Sequence, residues 1–165
     1  MMAPVASQQR QRRGVLDQRG GNVALDLFVL GQHLGRFLDQ AFAGSGLTPS
    51  EFAVYAQLAR GPMTPMQVRD VLGLRPPTLS GYLASMDKRG HLERTPNPQD
   101  GRSTWLELSA EGRDQWTTGR LRMRSAVRAL NTQLGGAASV EAARAGLVDI
   151  DDALLAAVEQ AAARD

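Results

Sequence analysis

The chain contains no cysteine. That single absence excludes disulfides, thiolate metal ligands and thiol-based redox sensing. Histidine is scarce as well: His33 and His91 are the only two, far apart in 165 residues, which argues against a histidine-rich metal site. Lys88 is the sole lysine, so almost every cation is an arginine. No apolar run approaches the roughly 18 residues that a membrane span needs. The opening MMAPVASQQRQRRG is basic but has no apolar stretch behind it, so it does not read as a secretory signal. The expectation is a cytoplasmic chain with no membrane partner. No glycine-rich phosphate loop, convincing carboxylate pair or Ser/His/Asp arrangement stands out, so neither an enzyme nor a cofactor is expected. Asp149, Asp151 and Asp152 read as the solvated face of one helix.

A hydrophobic content of 42% suits one compact domain, or a small domain with helical extensions. Net charge is only +2, but it is unevenly distributed. Arg69, Arg75, Lys88, Arg89, Arg94 and Arg102 cluster in the middle, while acidic residues crowd the last stretch. Arginine makes forked contacts to phosphate and guanine. A GC-rich coding bias accounts for its abundance equally well, so position carries more than number.

Residues 1–20 are polar, rich in Gln and Arg and without periodicity, and read as a disordered basic arm. From Asn22 to Ala43 two apolar stripes run side by side, one through Val23, Leu27, Leu30, Leu34 and Phe37, the other through Phe28, Leu38 and Phe42. A helix this apolar needs cover on two sides, one of which a partner subunit can supply. Thr48-Pro49-Ser50-Glu51 is a capping box with proline at the first helical position, and Phe52, Tyr55, Leu58 and Ala59 form the inward face. The device recurs at Thr64-Pro65-Met66-Gln67, which starts a short helix to about Leu72 with Met66, Val68, Val71 and Leu72 inward. Arg75-Pro76-Pro77-Thr78 opens the next helix, which ends near Arg89 at Gly90. Its wheel puts Leu79, Tyr82, Leu83 and Met86 on one side and Pro77, Gly81, Ala84 and Lys88 on the other, flanked by Thr78, Ser80 and Ser85. An outward face so small and hydroxylated can lie flush in a major groove; it can also be an ordinary surface helix.

The stretch GHLERTPNPQDGRSTWLELSAEG, Gly90 to Gly112, decides between them. Leu92-Glu93-Arg94 starts one strand, Thr104 to Leu108 alternates as a second, and a turn-rich tip between them ends in Arg102. Helix, turn, helix and then a hairpin with a basic tip make a winged helix-turn-helix, a shape suited to DNA. Ser109 then caps a long helix to about Leu134, with Trp116, Met123, Val127 and Leu130 on its apolar face. Gly135-Gly136 breaks it, and Ser139 is expected to cap a last helix in which Val140, Leu147, Leu154 and Ala161 keep heptad spacing. Two such helices form a dimerisation platform or an intramolecular hairpin.

The fold class expected is mainly α: a winged helix-turn-helix DNA-binding lobe with a two-stranded β wing, plus long N- and C-terminal helices forming a dimerisation lobe. The divisions are a basic arm at 1–20, an N-terminal dimerisation helix at 22–46, the winged lobe at 47–108 and C-terminal dimerisation helices at 109–165.

With LTPSEFAVYAQLA, TPMQVRDVLGL, PPTLSGYLASMDKRGHLER and the wing Asp100-Gly101-Arg102 followed by Leu108, Ser109 and Gly112, the sequence resembles the MarR family of bacterial transcriptional regulators. The resemblance covers Leu47 to Gly112 in detail and the flanking helices in layout. It implies a homodimer on a pseudo-palindromic double-stranded operator, with Thr78 to Arg89 as recognition helix and Arg102 entering a minor groove oriented by Asp100. Many members carry a basic residue where Gly81 stands, so base readout falls to Arg75, Thr78, Ser80, Ser85 and Lys88, with Arg89 and Arg94 completing the DNA-binding set. The resemblance also implies a small aromatic or anionic effector that releases DNA, with Phe28, His33, Phe37, Tyr55 and Trp105 as candidate lining. Phe28, Phe37 and Tyr55 are equally readable as plain core. A winged-helix module that docks a protein without specific DNA binding is the alternative function.

Overall fold

The computed structural model describes residues 21–98, 100–101 and 103–164. The chain divides into two compact units, Met1–Leu121 and Arg122–Asp165. Among the described residues the first helix of the first unit is α1 (Val23–Phe42), whose start is fixed by Asn22: its side chain accepts the amides of Ala24 and Leu25 at 2.9 and 3.4 Å. Helix α2 (Pro49–Leu58) and helix α3 (Pro65–Leu72) both open on complete capping boxes. Thr48 and Glu51 bond reciprocally at the first, Thr64 and Gln67 at the second, and proline at N1 sets the entry angle of each. Helix α4 (Pro76–Lys88) follows, then β1 (Leu92–Pro96) and β2 (Thr104–Leu108), paired antiparallel with Leu92 opposite Leu108 and Pro96 opposite Thr104.

The core lies between α2, α4 and the inner face of β2. Val54, Tyr55, Val68, Met86 and Leu106 are fully enclosed, and the rings of Phe42 and Phe52 meet with centroids 5.1 Å apart. Leu106 and Leu108 point inward on alternate positions of β2, as a half-buried strand requires. The hairpin has a further attachment. Met63, in the link between α2 and α3, exchanges both backbone hydrogen bonds with Leu106, at 3.2 and 2.9 Å.

Helix α5 (Ala110–Leu134) leaves β2 through Ser109, whose hydroxyl accepts the Gly112 amide at 3.0 Å and donates to the Gly90 carbonyl at 2.7 Å. Gly112 is the residue this junction admits: a Cβ there would stand 2.3 Å from the His91 carbonyl oxygen. The second unit holds the end of α5 and helix α6 (Ala137–Ala162), separated by Gly135 and Gly136 at φ of 91° and 105°. No helix among the described residues is long and apolar enough to cross a membrane.

Two local expectations are corrected. Met66 and Val71 do not face inward; they are 61% and 59% exposed. An eight-residue helix buries one stripe, and on a turn of about 3.6 residues Val68 and Leu72 share that stripe while Met66 stands on the far side. Nor is Ser139 the cap of the last helix, which starts at Ala137 with Gly136 in the capping position and no side-chain cap. The glycine pair at positive φ breaks the helix, and α6 begins directly after it.

Candidate nucleic-acid interface

Helix α4 presents the face that the sequence implies. Pro77, Thr78, Ser80, Gly81, Ala84 and Lys88 are all exposed, while Leu79, Leu83 and Met86 anchor the opposite side. Arg75 is the exposed N-cap residue and makes no side-chain cap bond. Two of the amide donors that a helix start leaves unpaired are missing here, because Pro76 and Pro77 have none. An anion at this end would therefore meet the amide and hydroxyl of Thr78 and the arginine beside them, not a full ring of amides.

The wing is bonded internally. The buried Asn97 donates its backbone N–H to the Ser103 carbonyl at 3.1 Å and its side-chain N–H to the Ser103 hydroxyl at 2.7 Å, and its Oδ1 accepts the Trp105 indole N–H at 3.0 Å. The Asp100 amide donates to the Asn97 carbonyl at 3.2 Å, and the Ser103 amide to the Asp100 carbonyl at 2.9 Å. Asp100 is exposed on this loop; Arg102, the expected minor-groove probe, lies outside the described residues. At the base of the wing, Arg94 on β1 grips Asp87 on α4 with two bonds, the shorter 2.5 Å, with both side chains well exposed. An exposed pair of this kind contributes at most about 1 kcal/mol. Its role is to tie the hairpin to α4.

Ser85 and Arg89, like Arg94, have their polar atoms already engaged, but in a cluster that is partly buried. The Arg89 guanidinium donates to Glu51 Oε1 at 2.7 Å, to the Gly46 carbonyl at 3.1 Å, and to the hydroxyl and carbonyl of Ser85, each at 3.2 Å. The Ser85 hydroxyl in turn donates to Glu51 Oε1 at 3.2 Å. Burial pushes the Glu51 carboxyl up, but the Thr48 amide, the charge of Arg89 and the bonds from Ser85 and Arg89 outweigh it and hold it below the ordinary carboxylate range. Nothing local in the sequence marks this cluster, since Glu51 also completes a capping box and so has a sufficient role already.

The five candidate effector residues are not brought to one place. Tyr55 is fully enclosed in the core, its hydroxyl 2.7 Å from His91 Nδ1. Burial raises the Tyr55 pKa. Burial, helped by the charge of Arg89 and opposed by Glu111, lowers that of His91. Trp105 is half-buried in the wing, bonded to Asn97. On α1, His33 and Phe37 share a side, whereas Phe28, 64% exposed, falls opposite Phe37, because successive residues turn by about 100°. Among the described residues no group of His, Asp or Glu is placed to hold a metal ion.

Comparison with known proteins agrees with this geometry. A model of the MarR family matches residues 45–103, from the turn before α2 to the wing tip. A crystal structure of a probable transcriptional regulator from Pseudomonas aeruginosa superposes with a TM-score of 0.67 at 30% identity, covering 81% of this chain and 97% of that one. The chain belongs to the MarR family. It is a transcriptional regulator of the winged helix-turn-helix type. Among curated relatives, an uncharacterised HTH-type transcriptional regulator of Mycobacterium bovis is 29% identical over 110 residues, 60% of this chain and 77% of that protein. The fold is shared with the transcriptional repressor CouR, solved bound to a DNA duplex (TM-score 0.71, 24% identity, 79% of this chain and 92% of that one).

Proposed function

We propose that this MarR-family chain acts in the cytoplasm as a homodimeric, sequence-specific repressor, with α4 and the wing of each subunit meeting one half-site of a pseudo-palindromic operator. The observation that carries this reading is the outward face of α4, free of large side chains from Thr78 to Ala84, beside a hairpin whose tip is held by internal bonds. A smooth helix approaches base edges closely, and a wing that is already ordered loses little entropy on docking. Arg75, Thr78, Ser80 and Lys88 are the helix contacts; Arg94 flanks them, and Asp100 and Arg102 serve the wing. The DNA-bound state of CouR supports this assignment by fold.

Dimerisation is supported by apolar side chains that stay exposed on the terminal helices, Val23, Phe28 and Leu34 on α1 and Leu147, Leu154 and Val158 on α6. Exposed leucines at this density mark an association surface. Residues 22–46 and 109–165 would supply it, and residues 47–108 the DNA lobe; the arm at 1–20 lies outside the described residues. An effector, aromatic or anionic, would meet His33 and Phe37 on α1.

Selection of bound duplexes from a random pool tests the reading. The expected product is a near-palindrome with half-sites about one helical turn apart. Affinity for it should fall steeply with salt. Replacing Arg102→Ala should cost about 1–3 kcal/mol of binding per subunit. Failure to enrich any sequence at moderate salt would favour the protein-docking module instead.

A further inference from the structure

The Ser45–Gly46 turn after α1 offers two successive backbone carbonyls, and each is gripped by a different helix. Gln115 of α5 donates to the Ser45 carbonyl at 2.9 Å, and Arg89 at the end of α4 donates to the Gly46 carbonyl at 3.1 Å. The same Arg89 reaches Glu51 in the first turn of α2. Glu51 divides its carboxylate. Oε2 accepts the Thr48 amide at 3.2 Å and so caps α2, while Oε1 receives Arg89 and Ser85 and so holds α4. The Arg89 and Glu51 side chains are 29% and 11% exposed. Such charge-assisted, partly buried bonds fix a guanidinium in one geometry.

We propose that Arg89, with Glu51 and Ser85, is a positioning residue for DNA binding and does not itself touch DNA: it sets the pose of α4 against the end of α1. The inference rests on the DNA-binding reading above and adds a route to it. A shift at the end of α1 moves the Gly46 carbonyl, the guanidinium follows, and the recognition helix is re-aimed. The cluster therefore makes operator affinity answer to the state of the helices proposed to dimerise.

Glu51 gives the cleanest test because the two roles predict opposite signs. If Arg89 touched phosphate, Glu51→Gln would release it and remove a nearby negative charge, and binding would tighten. If Arg89 is a clamp, Glu51→Gln weakens binding by about tenfold. The slope of log affinity against log salt would stay as in the parent, because every cation that meets phosphate is still in place. Arg89→Lys supplies a second arm. Lysine rescues a phosphate contact but cannot bridge Glu51, Ser85 and Gly46 together, so it should bind as weakly as Arg89→Gln. The exchanged pair Glu51→Arg with Arg89→Glu should recover part of the loss, whereas a negative charge in a true interface would deepen it. Full-length variants are compared by fluorescence anisotropy on the selected operator, with melting curves to confirm folding. Three results would overturn the proposal: tighter binding by Glu51→Gln, rescue by Arg89→Lys, or a salt slope that Arg89→Gln makes shallower by about one per subunit. If Glu51→Gln does not fold, the Arg89→Lys arm decides alone. Loss of specific binding by the parent chain, or indifference to Arg102→Ala, would instead count against the DNA-binding reading itself.

Discussion

The winged lobe and the terminal helices handle apolar side chains in opposite ways. In the lobe, Val54, Tyr55, Val68, Met86 and Leu106 lose their exposure, and the polar groups near them find partners within the lobe. On α1 and α6, Val23, Leu34, Leu147 and Leu154 remain in the open. Burying a leucine side chain stabilises by roughly 1.5–3 kcal/mol, so a lobe that buries its own stands by itself, and a helix that does not is completed by something else. On the proposed dimer, stability resides in the lobe and association in the terminal helices.

Mutations that separate the two properties break or sharpen this contrast. The largest effect is expected from Tyr55→Ala, which empties the centre of the lobe and removes the partner of His91. Loss of a buried aromatic costs about 3–5 kcal/mol, read as a shift in the urea midpoint, and operator binding should disappear with the fold. Leu147→Glu together with Leu154→Glu should do the reverse. Lobe unfolding stays as in the parent, while self-association weakens by at least about 2 kcal/mol in sedimentation equilibrium. If those two substitutions left the oligomer intact, the exposed face of α6 would not be the association surface. Thr64→Ala removes the cap of α3 and should cost about 1 kcal/mol of stability with no change in association.

The smallest effect is on pH dependence. His91 has its pKa lowered in the folded chain, so the unfolded chain takes up the proton first as pH falls through about 6.5. Stability therefore declines from that point until pH passes the lowered folded value. Glu51 acts further into acid: its depressed folded pKa gives stability that is present above the ordinary glutamate range and is lost as pH falls through the folded value. His91→Gln should flatten the first decline and leave the second. Unfolding midpoints across a pH series check both.

The local devices were legible in the sequence. Each capping box is closed by residues three apart, and Thr48, Glu51, Thr64 and Gln67 bond as their spacing implies. The hairpin was legible because alternation in Thr104–Leu108 and the turn residues before it point the same way. What stayed hidden depends on distant partners. Glu51 meets Ser85 and Arg89 across 34 and 38 positions, and both residues look like surface contacts until their acceptors are known. Met63 joins Leu106 from a link with no strand pattern of its own. Met66 and Val71 misled for another reason: hydrophobicity marks a candidate for burial, and a two-turn helix has too little inner surface for all its candidates.

The stitch between Met63 and Leu106 has a mechanical consequence. A hairpin held only at its base could flap, and its tip could search for a groove independently. Here the middle of β2 is laced to the segment that joins the first two helices of the lobe. The second strand and the two helices that flank Met63 are thereby coupled, and a displacement of one is passed to the other through this pair of backbone bonds.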